Sequence, residues 1–448
     1  MVDGITYSEK SKEELIEVIL EQQKRIKELE EKLKEEQTKR VEKFIKANVP
    51  AKRRKKSGQK AGHQGAYRPL PNTVDETIDQ ELETCPECQN PLQESIGVIE
   101  QIQEDIIPAR VIVRKYRRHR YYCRCCQRVM TAAYHPQQIP EGRLGGNVLI
   151  HAAILKYYHC LPYRKIVGVF EDMCGLKISA GALAQALQRL SRWLKVEQDV
   201  LLEAIRGSPQ VHIDETGWRM DGKNHWLWAF ANERMAYYKI DKSRGRKVVE
   251  SILPKDFAGT IITDFYGVYF KLPYKRQKCL VHLLREFHRC AQTDHSEAYQ
   301  RCYKHIKRLI NDAIKLQGRH EELSEKVYQR RYWRLKERLF ALMIYPYRNK
   351  NLKRLAKRFS KYWLDMFTFL KDPDVAWNNN LAERLIRPNV IYRNRSFGNR
   401  SLAGAKAHST MMSLIQTLTM RKQNVSDFLK TAFIAHRQGN LTPLLSIS

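Results

Sequence analysis

Val211-His212-Ile213-Asp214-Glu215-Thr216-Gly217-Trp218 opens the stretch of this 448-residue chain that decides its fold. It begins as an apolar run closed by an acid. Two further segments, His225–Ala231 and Met235–Ile240, alternate or run apolar and are joined by short turns, including Asp221-Gly222, so all three read as strands. A basic helical stretch, Lys242–Leu253, follows, and then Thr260-Ile261-Ile262-Thr263-Asp264, a second apolar run closed by an aspartate. A carboxylate at the end of a buried strand is unfavourable unless it is paired, hydrogen-bonded or bound to a cation. The spacing therefore predicts two strand-end acids, Asp214 and Asp264, with a reason to be there.

Strand, strand, strand, helix, strand is the opening order of a ribonuclease-H-like α/β domain, and the chain is expected to carry one with a mixed sheet at 208–435. Residues 275–371 read as helical and very basic, with 25 Lys/Arg against 9 Asp/Glu, half of the chain's net charge of +31. They predict an all-helical insertion at about 285–371. The domain resumes with Asn378-Asn379-Asn380-Leu381-Ala382-Glu383-Arg384-Leu385-Ile386-Arg387, which has helical spacing. Asn379, Asn380, Glu383 and Arg387 fall on one polar face, and Pro388 is expected to limit the helix just after. Two strand-end aspartates and a helical glutamate are the ingredients of a divalent-metal site for phosphoryl transfer. Mg²⁺ or Mn²⁺ takes a few carboxylates and keeps other positions for water and substrate oxygens. Each acid also has a plain reading: Asp214 starting a turn, Asp264 capping a helix, Glu383 pairing with Arg387.

Upstream of this domain the chain divides further. Residues 1–48 carry a heptad seam through Leu15, Ile19, Ile26, Leu29 and Leu33, read as a short coiled coil or a solvated single helix. Residues 49–80 are a basic, Gly-containing linker in which Lys52, Arg53, Arg54, Lys55 and Lys56 are candidate DNA contacts. In 81–140, Cys85-Pro86-Glu87-Cys88 and Cys123-Arg124-Cys125-Cys126 flank a segment with strand character at Val111–Val113 and Tyr121–Tyr122. Two such knuckles match a structural zinc ribbon closed by Cys85, Cys88, Cys123 and Cys126. Residues 141–207 read as helices, with Ser179 as an N-cap and Gly175 as a turn, which fits a helix-turn-helix DNA reader or a helical linker. Residues 436–448 form a tail.

The pI near 9.7 points to a polyanionic partner. No apolar stretch of about 18 residues exists to span a bilayer, and the N-terminus is too charged for a signal peptide, so a cytoplasmic, nucleoid-associated protein is expected. In that setting the ten cysteines read as thiols and metal ligands.

In combination the motifs point to a family. Gly58-Gln59-Lys60-Ala61-Gly62-His63-Gln64-Gly65, the two cysteine knuckles, Asp214-Glu215-Thr216-Gly217-Trp218, Thr263-Asp264, Cys279-Leu280-Val281-His282 and Asn379-Asn380-Leu381-Ala382-Glu383-Arg384 occur in this order over nearly the whole chain. The chain resembles transposases of the insertion sequence 66 family, bacterial DDE transposases. The resemblance implies that Asp214, Asp264 and Glu383 are the catalytic, metal-holding triad. It also implies that the knuckle cysteines hold Zn²⁺ and that the N-terminal helix corresponds to a leucine-zipper-like segment. His282, with Asn379 and Asn380, becomes a candidate support for the site, and His282 alternatively a packed core residue. Cys279, His282, His288 and Cys290 can also be drawn as a second metal site. Arg387, Arg393, Arg395 and Arg400 are candidate DNA contacts behind the glutamate.

The expected activity is binding of the terminal inverted repeats, metal-dependent hydrolysis of a phosphodiester and strand transfer to target DNA. The expected agent is a homo-oligomer, with accessory proteins of the same element as possible partners. A structure-specific nuclease or resolvase, or a non-catalytic zinc DNA-binding relic, are the alternatives.

Overall fold

A computed structural model describes residues 71–92, 97–107, 109–139 and 142–446. The heptad, the Lys52–Lys56 run and the Gly58–Gly65 motif lie outside the described residues. The chain divides into two compact units between Asp105 and Ile106.

In the first unit a tight turn is closed by a bridge between Thr84 and Pro91. Cys85 N–H donates to Asn90 O at 2.9 Å and Gln89 N–H to Cys85 O at 2.8 Å. The second unit begins with an antiparallel hairpin, β1 (Arg120–Cys123) and β2 (Arg128–Thr131). Tyr121 and Tyr122 are in β1, but Val111–Val113 are exposed and belong to no strand, contrary to the sequence reading. Without a neighbouring strand to pair with, β-branched residues alone do not make one.

The main sheet has five strands: β3 (Gln210–Met220), β4 (Lys223–Ala231), β5 (Ala236–Asp241), β6 (Thr260–Thr263) and β7 (Lys275–Lys278). Their order is β5-β4-β3-β6-β7. The first three run antiparallel, and β6 and β7 lie parallel to β3. The sheet is therefore mixed, as expected. Two expectations fail. Asp214 does not end its strand, because β3 continues to Met220 in an unbroken ladder with β4. It is β6 that stops. Residues 275–278, read as helical, are the edge strand β7, and its Gln277 and Lys278 are fully buried.

Among the described residues the sheet is preceded by α1 (Gly146–Ala153), which continues as a π-helical turn over Ile154–Tyr158, and by α2 (Tyr163–Cys174), α3 (Ala180–Trp193) and α4 (Lys195–Arg206). Ser179 caps α3 by accepting Ala182 N–H at 3.1 Å, and Gly175, at φ +66°, ends α2. Leu149, Leu183 and Leu187 of these helices belong to the same apolar core as Ile213, Trp228 and Phe230 of the sheet. Helix α5 (Arg246–Ile252) makes the crossover from β5 to β6, and α6 (Gly267–Phe270) follows Asp264.

The insertion consists of α7 (Leu280–Ala291), α8 (Glu297–Gln317), α9 (Glu325–Ile344), α10 (Lys350–Tyr362) and α11 (Thr368–Lys371). It packs around Phe287, whose ring stacks on Tyr303 and Phe359. Its neck is tied twice. Leu280 N–H donates to Trp377 O, and Asn379 N–H to Cys279 Sγ, each at 3.2 Å.

Helix α12 (Asn380–Ser396) returns the chain to β3, α13 (Leu402–Met420) runs through the core, and α14 (Val425–Arg437) closes the fold. Pro388 does not end α12 but lies inside it. A proline there disturbs the preceding turn's carbonyls, and Leu385 O is held by Tyr238 Oη at 2.7 Å and Asn389 Nδ2 at 3.3 Å. On the free edge of β5, Ser413 and Thr417 of α13 accept Tyr238 N–H and Ala236 N–H, so the edge is covered by a helix. Beyond α14 the tail folds back onto α4. Glu197, fully buried, accepts Leu444 N–H and Leu445 N–H and pairs with His436 at 2.6 Å.

Past α12, Gly398 takes φ +89°, and a Cβ there would lie 2.2 Å from Arg219 O. Gly398→Ala is expected to cost on the order of 3 kcal/mol, to be checked by the urea midpoint. An unchanged midpoint would contradict this packing.

Candidate active site

The β3–β6 register pairs Gln210 with Thr260, Val211 with Ile261 and His212 with Ile262. Carried two residues further, it sets Asp264 level with Asp214 on the adjacent strand. Asp264 follows the last residue of β6 and accepts Tyr266 N–H at 2.8 Å, so its carboxylate is anchored at the head of the next turn. Glu383 lies in the first turn of α12. Burial, reinforced by the negative charges of Glu215, Asp264 and Glu383, pushes the Asp214 carboxyl up to about 8. The three sequence-predicted acids thus act on one another.

Two polar ties orient α12. Asn379, fully buried, donates from Nδ2 to Ile213 O at 2.8 Å, and its Oδ1 accepts from His212 Nδ1 at 3.1 Å. Burial holds the His212 imidazole down to about 4, so it is neutral at physiological pH. Asn379 therefore fixes the start of the glutamate's helix against the aspartate's strand rather than standing on an exposed polar face. Asn380 Oδ1 is buried without a hydrogen-bond partner.

Glu383 is held by Arg285 of the insertion, whose Nη1 donates to both carboxylate oxygens at 3.1 and 3.0 Å. His282 Nδ1 lies 3.4 Å from Glu383 Oε1 but is not aligned for a hydrogen bond. Among the described residues, the group of three metal-ligand side chains with donor atoms within 4.8 Å of one another is Cys279, His282 and Glu383. The three acids are not drawn that close, as bare carboxylates repel. Sulfur, nitrogen and oxygen donors together suit a borderline ion such as Zn²⁺ better than Mg²⁺. His288 and Cys290 take other partners, Tyr303 and Gln292 for the histidine and Arg354 for the thiol. Cys279 and His282 thus meet Glu383, not the four-residue set drawn from the sequence.

Several residues around the acids escaped the sequence reading. Glu215 is buried beside Asp214 and receives Arg244 at 2.8 Å and the Tyr269 hydroxyl. Arg244 lies between the Trp226 and Tyr266 rings, 4.3 and 4.0 Å from their centroids. Lys278, fully buried on β7, donates to Thr263 Oγ1 at 2.9 Å and Asp264 O at 2.8 Å. Burial pulls its ammonium down to about 8, opposed by the charges of Asp264 and Asp365. The acid directly after Asp214 was the available signal for Glu215. Nothing local marks Lys278.

Of the candidate DNA contacts, Arg387, Arg395 and Arg400 are exposed. Arg393 is half-buried, with its guanidinium donating to Thr216 Oγ1 and Gly217 O, so it ties α12 to β3. Cys85 sits at the turn in the first unit. Cys123 ends β1 in the second, where its Sγ accepts Cys126 N–H at 3.4 Å. Backbone amides lower both thiols from their ordinary range, as metal-binding knuckles require.

This assembly of a mixed sheet, neighbouring acids and a basic insertion belongs to a transposase. Residues 141–407 match the transposase IS66 family, more than half of the chain, and the chain belongs to that family. Residues 83–127 match the zinc-finger binding domain of transposase IS66, which supports a structural Zn²⁺ and DNA binding. The chain is also similar to two uncharacterized proteins of Sinorhizobium fredii (strain NBRC 101917 / NGR234). It is 25% identical to y4qI over 397 residues, 82% of this chain and 73% of the relative. It is 26% identical to y4jD over 373 residues, 77% of this chain and 72% of the relative. No helix among the described residues is long and apolar enough to cross a membrane.

Proposed function

We propose that the chain is a metal-dependent DDE transposase whose Asp214, Asp264 and Glu383 hold Mg²⁺ or Mn²⁺. The observation that carries this reading is Asp214. Its carboxyl is held up to about 8, first by burial and then by the charges of Glu215, Asp264 and Glu383. Excess negative charge of that kind, on oxygen donors, fits a hard divalent cation. When bound, such ions activate the attacking oxygen and stabilise the leaving one in an in-line displacement at phosphorus. The residues of the chain orient the site: Asn379 sets α12 on β3, Lys278 fixes the backbone of Asp264, and Arg285 holds Glu383 until substrate arrives.

The strand order β5-β4-β3-β6-β7, with three antiparallel and two parallel members, supports a ribonuclease-H-like core. Cys85, Cys88, Cys123 and Cys126 are the proposed zinc ligands. Zinc analysis is expected to lose one equivalent per chain on Cys123→Ser, and retention would reject the assignment. The helices at 146–206 and the zinc module would recognise the terminal inverted repeats, acting in a homo-oligomer with or without accessory proteins of the element. The basic insertion would hold the DNA backbone in a salt-sensitive way. A nucleoid-associated, cytoplasmic protein is consistent with this.

The test is a Mg²⁺ and Mn²⁺ titration with a labelled duplex bearing the element's ends. Cleavage followed by joining to an unrelated duplex supports the transposase. Cutting of branched DNA without joining would make it a nuclease or resolvase, and intact DNA at every metal concentration a binding relic.

A further inference from the structure

The end of α12 carries an aromatic side chain that both the backbone and the solvent disfavour. Phe397 is 83% exposed, at φ +56° and ψ +24° in the left-handed region. Helix ends of this form favour Gly or Asn, and a bulky residue there is strained. Nothing among the described residues explains a phenylalanine at that place.

The loop that presents it is rigid. Asn399 N–H donates to Arg219 O and Asp221 N–H to Asn399 O, both at 2.9 Å, and Met220 and Asn399 form a parallel bridge. Asn399 Oδ1 accepts Trp218 Nε1–H at 2.9 Å. The loop is therefore clipped to the tip of the β3–β4 hairpin, and Phe397 stands out from it.

The surroundings are cationic. Residues 384–426 contain eight Lys/Arg and no Asp or Glu. Arg395 and Arg400 are exposed on either side of Phe397, with Arg219 and Lys223 exposed on the adjoining hairpin. Asp221 at the turn is the acid of that hairpin tip.

We propose that Phe397 is a stacking site for an unpaired DNA base, flanked by arginines that hold the neighbouring phosphates. An exposed aromatic among cations fits single-stranded or opened nucleic acid, because every base offers a π-face. The position is defined too. From Glu383 to Phe397 the helix rises about 20 Å, so the stacked base would lie well away from the phosphate at the acids. The site would thus hold the duplex open beside the reaction, not at it. This rests on the DNA-transposase reading.

The test uses the full chain and fluorescence anisotropy on two labelled duplexes of equal length, one fully paired and one with a central two-nucleotide mismatch. The wild type is expected to bind the mismatched duplex roughly tenfold more tightly, the smaller end of what one base–aromatic stack supplies. Phe397→Gly should erase that preference, leave affinity for the paired duplex within about twofold, and keep or raise the melting temperature, as glycine suits the backbone. Phe397→Tyr should retain the preference. Equal binding of the two duplexes by wild type, or a preference that survives Phe397→Gly, overturns the proposal. A lowered melting temperature in Phe397→Gly would make the side chain structural and also overturn it. No binding to either duplex would instead bring down the DNA-binding reading beneath it.

Discussion

Asp214→Asn is expected to abolish strand cleavage, by about a thousandfold or more, while making the metal-free protein more stable at alkaline pH. The two effects share one cause. The folded carboxyl is pushed up to about 8 from its ordinary value of 3.8, first by burial and then by the facing acids. A raised folded value means that stability is fully present below the unfolded value and is lost as pH rises through 8. Asparagine resembles the protonated form and escapes that loss. The gain should be absent at pH 4 and reach roughly a few kcal/mol by pH 9. Added Mg²⁺ should stabilise wild type at pH 8 and leave the variant unmoved. Thermal melts at the two pH values decide the matter: a variant less stable than wild type at pH 9 would remove Asp214 from the buried acidic cluster.

His436→Ala is expected to produce the largest stability loss of any single change away from the acids, about 3–5 kcal/mol. Glu197 is fully buried, and His436 Nε2 at 2.6 Å is its ion-pair partner. The histidine's other nitrogen meets Asn440 O at 2.6 Å, an acceptor, so the ring joins α4, α14 and the tail at one point. Removing it strands a carboxylate whose remaining partners are two tail amides. A paired replacement, Glu197→Leu with His436→Leu, should recover much of the loss, since apolar pairs of similar volume replace buried ion pairs well. Urea denaturation of the three proteins checks both statements, and a single variant within about 1 kcal/mol of wild type would refute the buried pair.

Much of the site was legible because its signals are local. Val211–Asp214 and Thr260–Asp264 each show an apolar run meeting an acid, and Asn379–Arg387 shows helical spacing around Glu383. What was not legible depends on partners distant in the chain. Lys275–Lys278 has no apolar pattern, and it is a strand because its backbone pairs in parallel with Thr260–Thr263, with the Lys278 amine received by Thr263 and the Asp264 carbonyl. Pro388 reads as a helix stop, yet Tyr238, far away in sequence, holds the Leu385 carbonyl. Asp214 read as a strand end because the apolar run stops there. The strand goes on because β4 keeps pairing while β6 does not. Cys279 and His282 offered His288 and Cys290 as sequence neighbours, but the fold gave them Glu383.

The twice-tied neck of the insertion has a consequence for how this chain could be altered. Cys279 and Asn379, a hundred positions apart, touch through a 3.2 Å contact, so everything between them leaves and re-enters the sheet at one place. A handful of residues would span that gap. The helical body up to Tyr362 is in effect an exchangeable attachment, whereas Asp365–Phe369 bond to Arg276 and Gln277 of β7, so a shortened chain that bridges the neck and retains this segment would keep β7 and α12 in their positions. Such a protein would carry the acids without Arg285 or the basic helices, separating the cutting machinery from its grip.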